Sequence, residues 1–278
     1  MKGGNSSFQT VFVQYVVSSR PTEGFETQVM AFLKLAFARE IARPMLALIF
    51  ASAVCLGLVV ARVAYTRDLH YFFLLWNLFL AWLPMIPALL AVECWRRRPA
   101  LHWQLAGLSG AWLLFFPNAP YIFTDIIHLT RDYRVHFWAD LALFLSCAFT
   151  GLVLGFVSLY LMQSVVKRMY GARASWFFVA AVSALSGFGI YLGRFLRFNS
   201  WDVLVKPLEL SRGVGKWAAD PLANSHTYAF PALFATFLFI TYLMLYALTH
   251  LRQPHVPDAR SQEPLLVKPS EAPPVSPP

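Results

Sequence analysis

Charge is scarce in this chain. Only 13% of its 278 residues are Asp, Glu, Lys or Arg, about half the share of a soluble globular domain. Such a chain cannot cover a folded surface with water-facing groups, which excludes a soluble domain as its main body. Cysteine is scarcer still: Cys55, Cys94 and Cys147 are odd in number, form no C-x-x-C, and two of them lie within apolar runs. That excludes a disulfide framework or zinc knuckle and leaves small hydrophobic residues used in packing. Also missing are a nucleotide loop, a nucleophile elbow and a haem-binding pair, so no cofactor is implied. No internal repeat is visible, and with it goes the signature of an inverted-repeat transporter. A cleaved signal peptide is not expected either, because Gln9, Thr10 and Gln14 interrupt the apolar stretch from Phe8 to Val17 and no small-residue cleavage pattern follows. The first span should serve as an uncleaved membrane signal.

Apolar residues make up 58% of the chain, with 25 Phe, 11 Tyr and 9 Trp. Phe suits lipid-facing positions, and Trp and Tyr suit the two interfaces. Six apolar segments follow one another: Pro44 to Ala64, Leu69 to Val92, Leu101 to Phe116, Ala139 to Val166, Ser175 to Phe195 and Tyr228 to Thr249. Most reach the roughly 20 residues that a bilayer core requires. Lipid leaves open backbone groups unsatisfied, and these runs are too continuous for a barrel. The sequence therefore predicts an all-α, polytopic membrane bundle of about six transmembrane helices over residues 44–249. Residues 1–43 should form a cytoplasmic or interfacial region with an amphipathic helix from Phe25 to Arg43, and residues 250–278 a disordered, proline-rich tail.

The net charge of +9 resides in short clusters between apolar runs, such as Arg96-Arg97-Arg98 and Lys167-Arg168. Anionic headgroups and topology explain these clusters, so membrane lipids are the expected partners and nucleic acid is not. With both termini inside, fourteen basic residues face the cytoplasm and nine face out, which favours that orientation. In either orientation, the third and fifth loops open on the same face.

Those two loops hold the polar clusters. In the third, prolines at 117 and 120 predict an extended turn, followed by a helix starting near Pro120. On that helix Tyr121, Asp125 and His128 fall at i, i+4 and i+7, while Ile122, Phe123, Ile126, Ile127 and Leu129 face away. Asp125 and His128 are candidates for orienter and base. Were the helix to continue, Asp125, His128, Asp132, His136 and Asp140 would form one stripe of metal-type ligands. The spacing matches no specific metal motif, Asp140 also suits the start of the fourth span, and no metal is assigned. In the fifth loop, Gly189 and Gly193 form a small-residue face, and Arg194 and Arg197 stand one turn apart. These arginines could grip a phosphate or neutralise Asp125, Asp140 or Asp202. Asn118, Tyr121, Asn199 and Asp202 are further candidates for ligand binding. Asn199-Ser200 suits a helix end and cap, Trp201 an interface anchor, and Asn77 an interhelical hydrogen bond. Pro84 and Pro87 should kink the second span.

The run Asn77 to Pro84, the segment Phe116 to Leu129, and above all Gly187 to Asp202, which includes G-I-Y-L-G-R-F-x-R-x-N-S-W-D, resemble a bacterial membrane family known as domain of unknown function thirteen sixty-one. The resemblance covers roughly Pro44 to Thr249. It implies several membrane helices in a bacterial inner membrane and no particular activity. Three functions follow as expectations. The first is a structural or assembly partner in a membrane complex, using the glycine face and the aromatic belts. The second is a membrane-embedded enzyme or binding protein for a lipid or lipid-linked phosphate. The third is a transporter component.

Overall fold

The computed structural model describes residues 39–67, 69–97, 102–131, 137–219 and 225–250. The surface helix expected before Arg39 and the tail after His250 lie outside the described residues, as do Asp132 and His136.

All regular structure among the described residues is helical. Helix α1 (Arg39–Thr66) opens a turn earlier than the sequence predicts and passes through Pro44, which lies close enough to the start that the lost donor and the crowding of the carbonyl four residues back fall on the first turns only. The second span is broken, as Pro84 predicts. Helix α2 (Phe72–Trp82) ends at Leu83, and α3 (Met85–Arg97) resumes at once. The break falls at Pro84 alone, because Pro87 sits in the first turn of α3, where a missing donor costs little. Helix α4 (His102–Phe115) has only 14 residues, about 21 Å at 1.5 Å per residue against a hydrocarbon core of roughly 30 Å. The chain therefore turns back into the bundle at Phe116.

The third loop differs from expectation. Ala119 and Pro120 are helical, within α5 (Asn118–Tyr121), instead of extended; in so short a first turn the proline nitrogen owes no hydrogen bond. Ile122–Arg131 then winds as a 3₁₀ helix. Three residues per turn abolish the expected division of faces: Ile122, Asp125 and Leu129 are buried together, while Ile127 is exposed.

Helix α6 (Phe137–Arg194) is 58 residues long and breaks at Gly171, where φ is 86° and ψ is 174°. Glycine enters that region without the Cβ penalty. The two arms fold back on each other, and the 116–122 turn is wedged between them. A Cβ on Gly151 of the first arm would lie 2.8 Å from the Ala119 oxygen, and one on Gly155 would lie 3.0 Å from the Ala119 Cβ. On the second arm, a Cβ on Gly189 would lie 2.8 Å from Pro117, and one on Gly193 would lie 3.1 Å from the Tyr121 ring. These four glycines make the space that the turn fills. Trp112 ties the arms together from α4: its indole N–H donates to Ser158 of the first arm at 3.2 Å, and its ring stacks on Phe178 of the second at 5.8 Å.

After the second arm come α7 (Asp202–Val205), α8 (Pro207–Ala219) and α9 (Ser225–Thr249). Helix α9 packs along α6, where the Tyr242 hydroxyl donates to Gln163 at 2.5 Å and Gly187 faces Pro231 and Ala235. Among the described residues, four helices are long and apolar enough to cross a membrane: Arg43–Thr66, Leu69–Arg97, Phe137–Arg194 and Tyr228–Thr249. With α6 folded at Gly171 and the short α4 included, they form the all-α bundle of six segments.

Candidate functional site

The wedge of the 116–122 turn between the α6 arms brings the third and fifth loops into contact. Asp125, in the 3₁₀ helix, is 1% exposed. Asn77 of α2 donates to its Oδ2 at 2.7 Å, and Arg194 Nη1 donates to its Oδ1 at 3.2 Å. Arg194, the last residue of α6, also donates to the Thr124 carbonyl at 2.6 Å and lies over the Tyr121 ring, 5.8 Å from its centre. Burial pushes the Asp125 carboxyl up to about 6, because Asn77 and Arg194 only partly offset the loss of water. Three elements thus converge on one carboxylate.

Beyond Asp125 opens a cavity of about 810 Å³, within the range of small-molecule sites. Around the end of α6 its lining mixes Asn118, Tyr121, Arg194, Arg197, Asn199 and Ser200 with Phe198, Val203 and Leu210, and further along the helices it is Leu80, Gly110 and Leu185. Asn118 and Ser200 are hydrogen-bonded to each other at 3.1 Å. Asn199 and Asp202 close a turn: Asn199 N–H donates to the Asp202 carboxylate at 2.6 Å, and Asp202 N–H donates to the Asn199 carbonyl at 2.9 Å. Asp202 therefore supports the wall from behind. Arg197 is different. Its φ is 57°, its side chain is exposed, and it makes no hydrogen bond or ion pair with the described residues. A non-glycine residue in this backbone region costs about 1–2 kcal/mol.

Of the candidates read from the sequence, Asn118, Tyr121, Asp125, Arg194, Arg197 and Asn199 share this cavity. The stripe of possible metal ligands is divided. Asp140, at the start of α6, belongs to another cluster: Arg62 of α1 grips it with Nη2 at 2.8 Å, and Tyr71 donates to it at 3.1 Å. Asp125 and Asp140 thus answer to different arginines, and no group of three His, Cys, Asp or Glu gathers among the described residues. The His128 side chain lies outside the described residues. Sequence reading missed His70, which lines the cavity, and the Arg62 clamp. Arg62 carried a signal, since a charge in the last turn of an apolar span needs a partner; His70, a lone histidine at the start of the second span, carried none.

No curated protein and no solved structure gives a match to the chain. A family model described as "Protein of unknown function (DUF1361)" matches residues 76–244, from within α2 through the wedged turn, both arms of α6 and the loop that carries Arg197 into α9. The protein is an integral membrane protein of the DUF1361 family.

Proposed function

We propose that the protein is a membrane-embedded binding protein or enzyme for a lipid or lipid-linked phosphate, held between Arg194 and Arg197. The observation that carries this reading is Arg197: an arginine with no partner among the described residues, lining a cavity that it shares with Arg194 and with apolar side chains of α2, α4 and α6. Its φ alone marks a helix end, since Arg67 past the end of α1 has a like φ of 54°; its place in the cavity wall is what points towards a ligand. A guanidinium suits a phosphate through paired, charge-assisted hydrogen bonds.

The assembly-partner reading drew on the glycine face. Gly187, Gly189 and Gly193 are met from within the chain by Pro231, Pro117 and Tyr121, so that reading is left with exposed aromatic side chains, which lipid also accepts. The transporter reading asks for charges deep in several spans; the ion pairs found here stand at helix ends, at Arg62, Glu93 and Arg194. The bacterial inner membrane, with both termini cytoplasmic and the site facing out, completes the proposal.

The test is thermal unfolding of the purified protein in a neutral detergent, with phosphatidic acid, hexadecyl phosphate or phosphatidylcholine added. The phosphate monoesters, phosphatidic acid and hexadecyl phosphate, should raise the midpoint in the wild type and not in Arg197→Gly, and the zwitterionic diester phosphatidylcholine should do less. Equal effects of the three on the wild type would refute the reading.

A further inference from the structure

The apolar half of the cavity limits what can be attached to the phosphate. We infer that the ligand is a phosphate monoester of a single long hydrocarbon chain, with the chain lying in a groove between α2, α4 and the second arm of α6. This inference rests on the phosphate reading and narrows it.

Depth comes first. Leu185 lines the groove nine residues before Arg194, roughly 13 Å lower along the helix at 1.5 Å per residue. Half of a 30 Å hydrocarbon core is about 15 Å. The groove therefore runs from the headgroup level towards the middle of the bilayer, along the path of one chain in one leaflet.

Width is the second constraint. A cavity of about 810 Å³ holds on the order of 27 water-sized units at ~30 Å³ each. A phosphate with one long chain comes close to that number, and a two-chain glycerophospholipid far exceeds it. Its second chain would have to remain outside, against the rim.

The rim is the third. Trp76 and Leu185 line the cavity and yet are 55% and 51% exposed. In a membrane-spanning segment those surfaces meet lipid, so the groove opens sideways into the bilayer. A chain can enter from the leaflet, and one longer than the groove can run back out.

Gly110 of α4 sets the bore. It lines the cavity, and a Cβ built there meets nothing within 4 Å. Unlike the glycines around the wedged turn, it is not needed for packing; the space beside it is the groove. Gly107, one turn away, also has open space beside it but does not line the cavity.

The experiment measures binding of hexadecyl phosphate and dipalmitoyl phosphatidic acid to the detergent-purified full chain by calorimetry, with inorganic phosphate as a third probe. The two amphiphiles share a phosphate monoester and differ in chain number. Hexadecyl phosphate should bind about tenfold or more tightly than phosphatidic acid, and inorganic phosphate should give no measurable heat. Gly110→Leu should weaken hexadecyl phosphate binding by about tenfold or more, because its side chain occupies the groove. Gly107→Leu should leave that binding unchanged, which shows that a leucine on α4 is tolerated. Two results would overturn the inference and leave the phosphate reading standing: phosphatidic acid binding as tightly as hexadecyl phosphate, or Gly110→Leu without effect while Arg197→Gly abolishes binding. Absence of saturable binding by either amphiphile would overturn the phosphate reading itself.

Discussion

Arg194→Ala is the most revealing single change, because it removes the only arginine paired with Asp125 among the described residues and leaves that carboxyl buried. Among the interactions lost are the ion pair at 3.2 Å, the bond to the Thr124 carbonyl at 2.6 Å, the bond to the Tyr121 hydroxyl at 3.5 Å and the contact with the Tyr121 ring. Asn77 remains as a donor to Asp125. A buried charge left without its partner costs about 3–5 kcal/mol. Asp125 has an escape, however, since its carboxyl already titrates at about 6. At pH 8 the carboxylate must either stay charged or take up a proton against the solution, so the loss should reach about 3 kcal/mol or more. At pH 5 the carboxyl is neutral with or without Arg194, and the loss should shrink to that of ordinary hydrogen bonds, about 1–2 kcal/mol. Asp125→Asn in the same chain should recover most of the loss at pH 8, because no charge is then stranded. Unfolding followed by tryptophan fluorescence in detergent, at both pH values and for the two single variants and the double, reads all of this. A loss in Arg194→Ala that is the same at pH 5 and pH 8, with no recovery in the double variant, would refute the reasoning.

Arg197→Gly should leave the unfolding midpoint unchanged or raise stability by up to about 1 kcal/mol, since glycine adopts the φ of 57° without strain and gives part of that gain back in chain entropy; a marked loss in the same melt would remove the argument from strain. The folded-state value of Asp125 lies above its ordinary 3.8, so the folded chain holds a proton between about pH 4 and 6 that the unfolded chain has released. Its contribution to stability is therefore greatest at low pH, falls as pH rises through that window and is level above it; a pH series of melts should show this slope, and Asp125→Asn should lack it. Asp125→Asn leaves Arg194 without its counter-charge at every pH, so at pH 8 it should bind hexadecyl phosphate more tightly than the wild type by titration calorimetry. Gly151→Val should cost about 1–3 kcal/mol because its Cβ would lie 2.8 Å from the Ala119 oxygen, whereas Gly57→Ala, with nothing within 4 Å, should be neutral; equal losses in the two melts would show that the wedged turn is not tightly held.

The bundle was legible because its signal is long and redundant. Each span repeats the same information over many residues, so an error of one turn, as at Pro44, changes nothing downstream. The meeting of the third and fifth loops was legible from a different kind of argument, in which an even number of crossings puts both loops on one face and opposite buried charges attract. The conformation of the third loop was not legible. Two prolines within four residues normally argue for extended chain, and the balance was tipped by packing: Gly151, Gly155, Gly189 and Gly193 create a slot that a helical turn fits. Those glycines lie about thirty to seventy residues from the turn they accept, and no local rule connects the two. For the same reason Asp125 was assigned to a face opposed to Ile122, when a 3₁₀ winding buries both. The Arg62 clamp on Asp140 was missed because either partner alone looks ordinary, one as a helix-end cation and the other as a helix-start acid.

The pattern of pairing separates what holds the bundle together from what is left for a ligand. Glu93 is held by Arg96 and Arg97, Asp140 by Arg62 and Tyr71, Asp125 by Arg194 and Asn77, and Asp202 by the Asn199 backbone. Each of these acids therefore has its charge answered inside the chain, as burial demands. Arg197 stands outside this scheme. It answers no acid among the described residues, it faces the cavity, and it occupies a backbone conformation that glycine would fill at less cost. A residue kept only to end α6 would be served better by glycine, and one kept only for solubility would not need to line a cavity. Arg67, at the end of α1, has a like φ of 54° but does not line the cavity, so what sets Arg197 apart is its place in the cavity wall, where a charge from outside the protein would complete it. The apolar groove below it then supplies the rest of the description: a ligand with an anionic end at the membrane surface and a hydrocarbon end within it.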